Sequence, residues 1–599
     1  MPLAATDNLL ADWSGQWLAA LAVWSRFLQL HEPKWCFTEA EESAAQLSGS
    51  FAMIRLADHS VVISLRQVRK QGLQRFAKEI LAHEIGHHVY CPADLTDNAR
   101  MLARMRVGLP TKEHLAPFIS NLYADLLIND RLQRAAGLDM SGVYLQIGSK
   151  CNDRLWTLYM RIYELLWKLE RGQLAHGDID GRLNQDAQLG ARLIRSYSKD
   201  WLEGAGRFAA LCLPYLLEDE AAKMQKLMSI WNDTRCAGQG AIPDGLTKID
   251  EGELTGAVHP ADDPELSGVE APAEAPEESP TASSSKAKAR LTGVKTAKNY
   301  RQPIDYAEVL KAAGVNLDPA EITARYYRER AIPHLIPFPV RKLPQATDPL
   351  PEGLDVWDVS KPLEQIDWLG TLLNSPQVIP GVTTRQRQFG TSPGSEPETI
   401  PVDLYLGVDC SGSMGDPAHH LSYPVLAGAI IALSALRAGS RVKVVLSGEP
   451  GRTISTADFE RDATSVLKTL TSYLGTGFSF GIHRLAETFE AVANASSRVK
   501  QRPVHILIVS DNDMFSMLDS ESKRRRGWEV ARRALELAGG GGTFVLELPE
   551  HVRSSTWSQD TAGYLERIRE MGWHLAIVSS MEELIQFARE FSHGRFGVR

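Results

Sequence analysis

The pattern of apolar and polar positions over residues 1–233 is mostly helical. The exception is 51–68, where Phe-Ala-Met-Ile-Arg-Leu and Ser-Val-Val-Ile-Ser-Leu read as two short strands joined at Asp58 and His59. From Ile400 onward a different rhythm takes over. Apolar runs at 402–408, 441–446, 505–509, 543–548 and 573–578 alternate with amphipathic stretches at 421–438, 478–492, 526–537, 561–571 and 581–591. Strands alternating with helices of that length predict a mostly parallel, doubly wound α/β sheet of Rossmann type, covered on both faces. Residues 236–299 are rich in Pro, Glu, Asp, Ala and Ser, which cannot bury enough apolar surface to offset ordering, so a disordered acidic tether is expected there. Residues 300–399 are studded with proline and carry Trp357 and Trp368 as aromatic anchors, so they are expected to wrap over a neighbouring domain. The chain therefore divides into a mainly α domain (1–235), a linker (236–299), a connecting segment (300–399) and an α/β domain (400–599).

Composition narrows the class of protein. An apolar fraction of 44% and a charged fraction of 23% over 599 residues permit several ordinary cores. A formal charge of -9 argues against wholesale binding to nucleic acid or anionic membrane. The six cysteines (Cys36, Cys91, Cys151, Cys212, Cys236 and Cys410) are scattered without a CxxC pair, which suits a reducing compartment. The first residues lack the basic start and unbroken apolar run of a signal peptide, and no stretch approaches a membrane span. A cytoplasmic protein is expected.

The α/β region offers one cluster of hard oxygen ligands. Its first strand ends in Asp409 and continues Asp409-Cys410-Ser411-Gly412-Ser413-Met414, a carboxylate and two hydroxyls at alternate positions. A second strand ends in Asp511, and Gly475-Thr476-Gly477 sets a hydroxyl in a glycine loop before a helix. Ligands of open α/β sheets gather at the carboxyl ends of strands, and magnesium favours all-oxygen surroundings. These five positions resemble the metal-ion-dependent adhesion site of von Willebrand factor A domains. The resemblance covers about the last 200 residues and implies a magnesium ion on Asp409, Ser411, Ser413, Thr476 and Asp511. It also implies a free coordination position for an acidic side chain of a protein partner. Asp416, Asn512 and Asp513 read as loop and capping residues, and Cys410 as the small residue between ligands.

The helical region carries His83-Glu84-Ile85-Gly86-His87. On a helix, residues four apart are neighbours, so both imidazoles can meet one zinc ion, and Phe76, Ile80, His83 and His87 share an inward stripe. Zinc lowers the pKa of a bound water towards ~7, and Glu84 stands where it can take the proton as general base. The strand before this helix is expected to align an extended substrate by edge pairing. A catalytic zinc needs a third protein ligand. Asp125 is the best candidate, because it lies on an apolar stripe with Phe118, Leu122, Ile128 and Leu132, where a carboxylate is costly without a cation. Asn121 and Asn129 lie one turn either side of it, and Glu113 and His114 are competing candidates. HExxH followed by Asn-Leu-Tyr-Ala-Asp-Leu-Leu-Ile-Asn resembles the metallopeptidase domain found fused to von Willebrand A-like domains in bacteria, which implies a zincin-like fold.

No Walker A sequence is present, and the basic run Lys523–Arg526 reads as a solvated face or partner patch. The pairing of domains resembles components of systems with a MoxR-type AAA+ ATPase, which implies that the adhesion domain engages an acidic residue of such an ATPase while the zinc site cuts protein. A non-catalytic adaptor similar to chelatase subunits, with a structural zinc, is the alternative.

Overall fold

The computed structural model describes residues 3–47, 50–148, 153–218, 234–235, 242–267, 299–338, 340–342, 347–393, 399–412, 415–449, 452–476, 480–494, 502–511, 514–522, 524–547, 559–578 and 581–591. The chain forms two compact units, 1–322 and 323–599. Among the described residues no helix is long and apolar enough to cross a membrane.

The first unit contains helices α1 (Leu3–Gly15), α2 (Trp17–Trp24), α3 (Glu39–Ala44), α4 (Leu65–Lys70), α5 (Ala77–Val89), α6 (Leu95–Gly108), α7 (Ala116–Ala135), α8 (Met140–Ile147), α9 (Arg154–Trp167), α10 (Gly181–Ser196) and α11 (Trp201–Glu218). Strands β1 (Lys34–Cys36), β2 (Ala52–Arg55), β3 (Ser60–Ser64) and β4 (Thr234–Arg235) form a sheet in the order β1-β3-β2-β4. The predicted strand pair is β2 and β3, antiparallel through a turn in which His59 adopts φ 54°. β1 then pairs with the free side of β3, matching Lys34 to Val62. With both flanks occupied, β3 has no open edge, so the expected alignment of a substrate strand on it does not hold. Helix α5 runs through the middle of the unit with its residues from Ala77 to His87 almost wholly buried, packed on α2, α7 and β2.

The acidic stretch expected to be a tether is described from 242 to 267, where it lies against the helices. Its carboxylates meet buried or half-buried guanidiniums. Asp263 pairs with Arg207 at 2.6 Å and accepts from Tyr197 Oη at 2.7 Å, Asp250 pairs with Arg104 at 3.2 Å, and Glu253 takes both arms of Arg301. Helix α12 (Pro303–Ala312) packs on α6, and α13 (Pro319–Ala331) carries the chain from one unit to the next.

The second unit adds β5 (Val340–Lys342), β6 (Thr347–Val356), α14 (Trp368–Asn374), β7 (Arg385–Pro393), β8 (Thr399–Pro401), β9 (Asp403–Asp409), α15 (Tyr423–Arg437), β10 (Val442–Glu449), β11 (Arg452–Ser455), α16 (Ala463–Leu470), α17 (Arg484–Asn494), β12 (Val504–Asp511), α18 (Met514–Asp519), β13 (Glu521–Ser522), β14 (Arg525–Arg526), α19 (Gly527–Ala538), β15 (Gly539–Glu547), α20 (Gln559–Glu570), β16 (His574–Val578) and α21 (Met581–Glu590). Six strands form one sheet, β11-β10-β9-β12-β15-β16, parallel throughout except for β11. This is the Rossmann-like layer that alternating apolar runs and amphipathic helices predict. Central β9 is buried along its whole length, because Tyr405 faces one helical layer and Leu406 packs towards α15 on the other.

Candidate metal centres

In the first unit, α5 and α7 cross closely enough to bring His83, His87 and Asp125 together. One ligand atom from each lies within 4.8 Å of the others. His87 Nε2 stands 3.4 Å and His83 Nε2 3.6 Å from the same oxygen, Asp125 Oδ1, which makes no hydrogen bond. The opposite ring nitrogens are tied back: His83 Nδ1 donates to Asn129 Oδ1 at 2.7 Å, and His87 Nδ1 donates to the Cys91 carbonyl at 3.1 Å. Asn129 has no freedom to turn, since its Nδ2 donates to the hydroxyls of Tyr144 and Tyr163 at 3.1 and 2.9 Å. Each ring therefore carries its proton on Nδ1 and aims the Nε2 lone pair at the shared point. Burial lowers the pKa of His83 to about 4 against the opposing pull of the Asp125 charge, so this ring is neutral at pH 7. Two imidazoles and a buried carboxylate oxygen are a donor set that fits zinc.

Glu84 is buried beside the triad and lines the same cavity as His83, Asp125 and Asn129. That cavity measures ≈ 30 Å³ and is walled by Phe51, Met140, Val143 and Tyr144. A water needs about 10–15 Å³ of such space, so the cavity holds roughly two waters and no peptide side chain. The competitors lie elsewhere: Glu113 is half-buried and His114 exposed at the turn before α7. His88 points away and stacks on His59, with 3.9 Å between ring centroids. Asn121 is buried on α7. Tyr144 and Tyr163 carry the orientation of His83, yet no spacing in the sequence announces them.

In the second unit, Asp409 and Asp511 end the adjacent parallel strands β9 and β12 at one edge of the sheet. Thr476 comes to the same edge by bridging to Ser411, and the Gly412 amide donates to the Thr476 carbonyl at 2.8 Å. Gly475, just before it, takes φ 59°, a turn that a side chain would strain. Asp409 accepts from the Ser411 amide and from Ser510 Oγ, both at 2.8 Å. Burial, with a contribution from the Asp511 charge, raises its pKa to about 6. Thr476 Oγ1 is buried and makes no hydrogen bond. Two carboxylates on neighbouring strand ends beside an unsatisfied hydroxyl fit a hard cation. Ser413, Asn512 and Asp513 lie outside the described residues. Asp416 holds its own loop through the Ala418 amide and His419, and Cys410 is a buried thiol raised in pKa by burial, not a nucleophile.

A cavity of ≈ 820 Å³ in this unit touches none of these residues; it lies at the opposite edge of the sheet, beside Trp573, Phe587 and Phe591.

The fold and the two clusters thus define a two-unit α and α/β protein with one imidazole–carboxylate centre and one all-oxygen centre. No family model and no curated protein matches the chain. Among solved structures it is similar to the crystal structure of the conserved hypothetical protein BatB from Bacteroides thetaiotaomicron, at 14% identity over 32% of this chain and 98% of that one, with a TM-score of 0.21.

Proposed function

We propose that the chain is a zinc peptidase of zincin type joined to a von Willebrand A-type domain that grips a protein partner through magnesium. The observation that carries the reading is the convergence of both Nε2 atoms on one unbonded, buried oxygen of Asp125. On this reading His83, His87 and Asp125 hold zinc, which supplies Lewis acidity for attack on a peptide carbonyl. Asn129 and the Cys91 carbonyl fix the two rings, and Glu84 takes the proton. Asp409, Ser411, Ser413, Thr476 and Asp511 hold magnesium, and an acidic group of the partner, a MoxR-type AAA+ ATPase, completes the site.

A second reading is favoured by the small volume at the site, ≈ 30 Å³, which has room for roughly two waters. On it the zinc is structural and the protein is a non-catalytic adaptor of the same ATPase. Glu84→Gln separates the two. A peptidase keeps its zinc and loses turnover by about 10²–10⁴-fold, the usual weight of a general base. An adaptor keeps both its zinc and its effect on the partner ATPase, and that result would refute the peptidase reading.

A further inference from the structure

Among the described residues, the hairpin of β6 and β7 packs on α14. Among the described residues, thirteen of the twenty-three exposed large apolar side chains fall in this arm, between Leu350 and Phe389. The helix shows why. Its inner side is buried on the hairpin: Thr371 Oγ1 accepts from the Arg385 amide at 2.9 Å, and a Cβ on Gly370 would come within 2.7 Å of Leu354. At about 100° per residue, Trp368, Leu369, Leu372 and Leu373 then occupy one outward arc of about 140°. They are 53%, 68%, 54% and 81% exposed.

Such an arm is not stable against water on its own. A two-stranded ribbon is marginal without a third layer, and monomers rarely leave apolar patches this large uncovered. We propose that a second copy of this chain covers it, in a symmetric dimer built from two arms. Thirteen large side chains, about half exposed, sum to on the order of 1,000 Å² of apolar surface over the whole arm, an upper bound on what one face can set against the ~800 Å² per partner of a specific interface. The arm carries both signs, with Asp355, Asp358 and Glu364 in the same segment as Lys361 and Arg385, while Arg387 is already paired with Asp367 at 2.7 Å. An isologous contact lets acids of one copy meet bases of the other, whereas a rim of one sign would repel itself. The arm also joins the sheet at the amino end of β9 through the β5–β8 pair, and the oxygen cluster lies at the carboxyl end of the same strand. Seven residues of strand separate that junction from the cluster by roughly 23 Å.

The test is the mass of the full-length protein in solution by sedimentation or light scattering at micromolar concentration, for wild type and for a Leu369→Lys, Leu373→Lys double variant. Both positions face solvent, so the fold and bound metal should be retained. The wild type should run at twice the chain mass, and the variant at the chain mass. Amide exchange in 385–393 should slow with concentration in the wild type alone. A monomeric wild type overturns the proposal, even if another protein is then found to protect the arm, as does a double variant that remains dimeric.

Discussion

Asn129 does more for the first centre than any residue outside the ligands. Its carboxamide takes the His83 proton on one side and gives its own two to Tyr144 and Tyr163 on the other, so the ring's direction is set by a chain of hydrogen bonds reaching α8 and α9. Such supporting partners are worth about 10–100-fold in metal affinity. Asn129→Ala should therefore weaken zinc by that factor in competition with a chelator while Glu84 keeps its place; unchanged affinity would show that the ring needs no such support. A second buried imidazole serves stability instead of chemistry. His505 donates from Nδ1 to the Gly540 carbonyl at 2.9 Å and accepts from Thr543 Oγ1 at 3.0 Å, which satisfies the neutral ring. Burial lowers its pKa from 6.5 to about 4. Between those values the unfolded chain binds a proton that the folded chain refuses, so this stabilisation is complete above pH 6.5 and falls as pH drops towards 4. It amounts to about 3 kcal/mol at most. Denaturant unfolding followed across that window should show a shallower loss for His505→Asn than for the wild type, and equal slopes would contradict the assignment.

At the scale of elements, the close crossing of α5 and α7 rests on a residue inside the HExxH motif itself. A Cβ on Gly86 would stand 2.6 Å from Ile128 and 2.7 Å from Trp24, so only glycine lets the two helices approach. Gly86→Ala should cost roughly 1–3 kcal/mol of stability by overpacking. It should also loosen zinc, because it moves His83 and His87 away from Asp125; a variant as stable and as tightly metallated as the wild type would show that the crossing is not tuned by this contact. The parts of this picture that were legible in the sequence are those with a local period. The pair of histidines follows from four-residue spacing, Asp125 from a carboxylate on an apolar stripe, and the α/β layering from alternating runs. What could not be read depends on partners distant along the chain. Three residues of β1 form a strand only because β3 offers an edge, and that edge is then closed to a substrate. Likewise residues 242–267 look like a solvated acidic tether until Arg104, Arg207 and Arg301 meet their carboxylates. Composition reports the desolvation cost of such charges but not the cations that offset it.

For the molecule as a whole, two centres of different chemistry sit in separate units, each described by its own geometry. On the proposed reading, nitrogen and carboxylate ligands would suit a borderline ion such as zinc in the first, and hard oxygens would suit magnesium in the second. Removing magnesium, or Asp409→Ala, should abolish partner binding and leave zinc in place, which a pull-down with and without chelated magnesium checks. The central claim is that the α5–α7 crossing holds zinc. Elemental analysis of the purified full-length protein beside Asp125→Ala tests it most directly: one zinc per chain in the wild type and almost none in the variant is the predicted result, and a zinc-free wild type, or a variant that retains its full zinc, would contradict it.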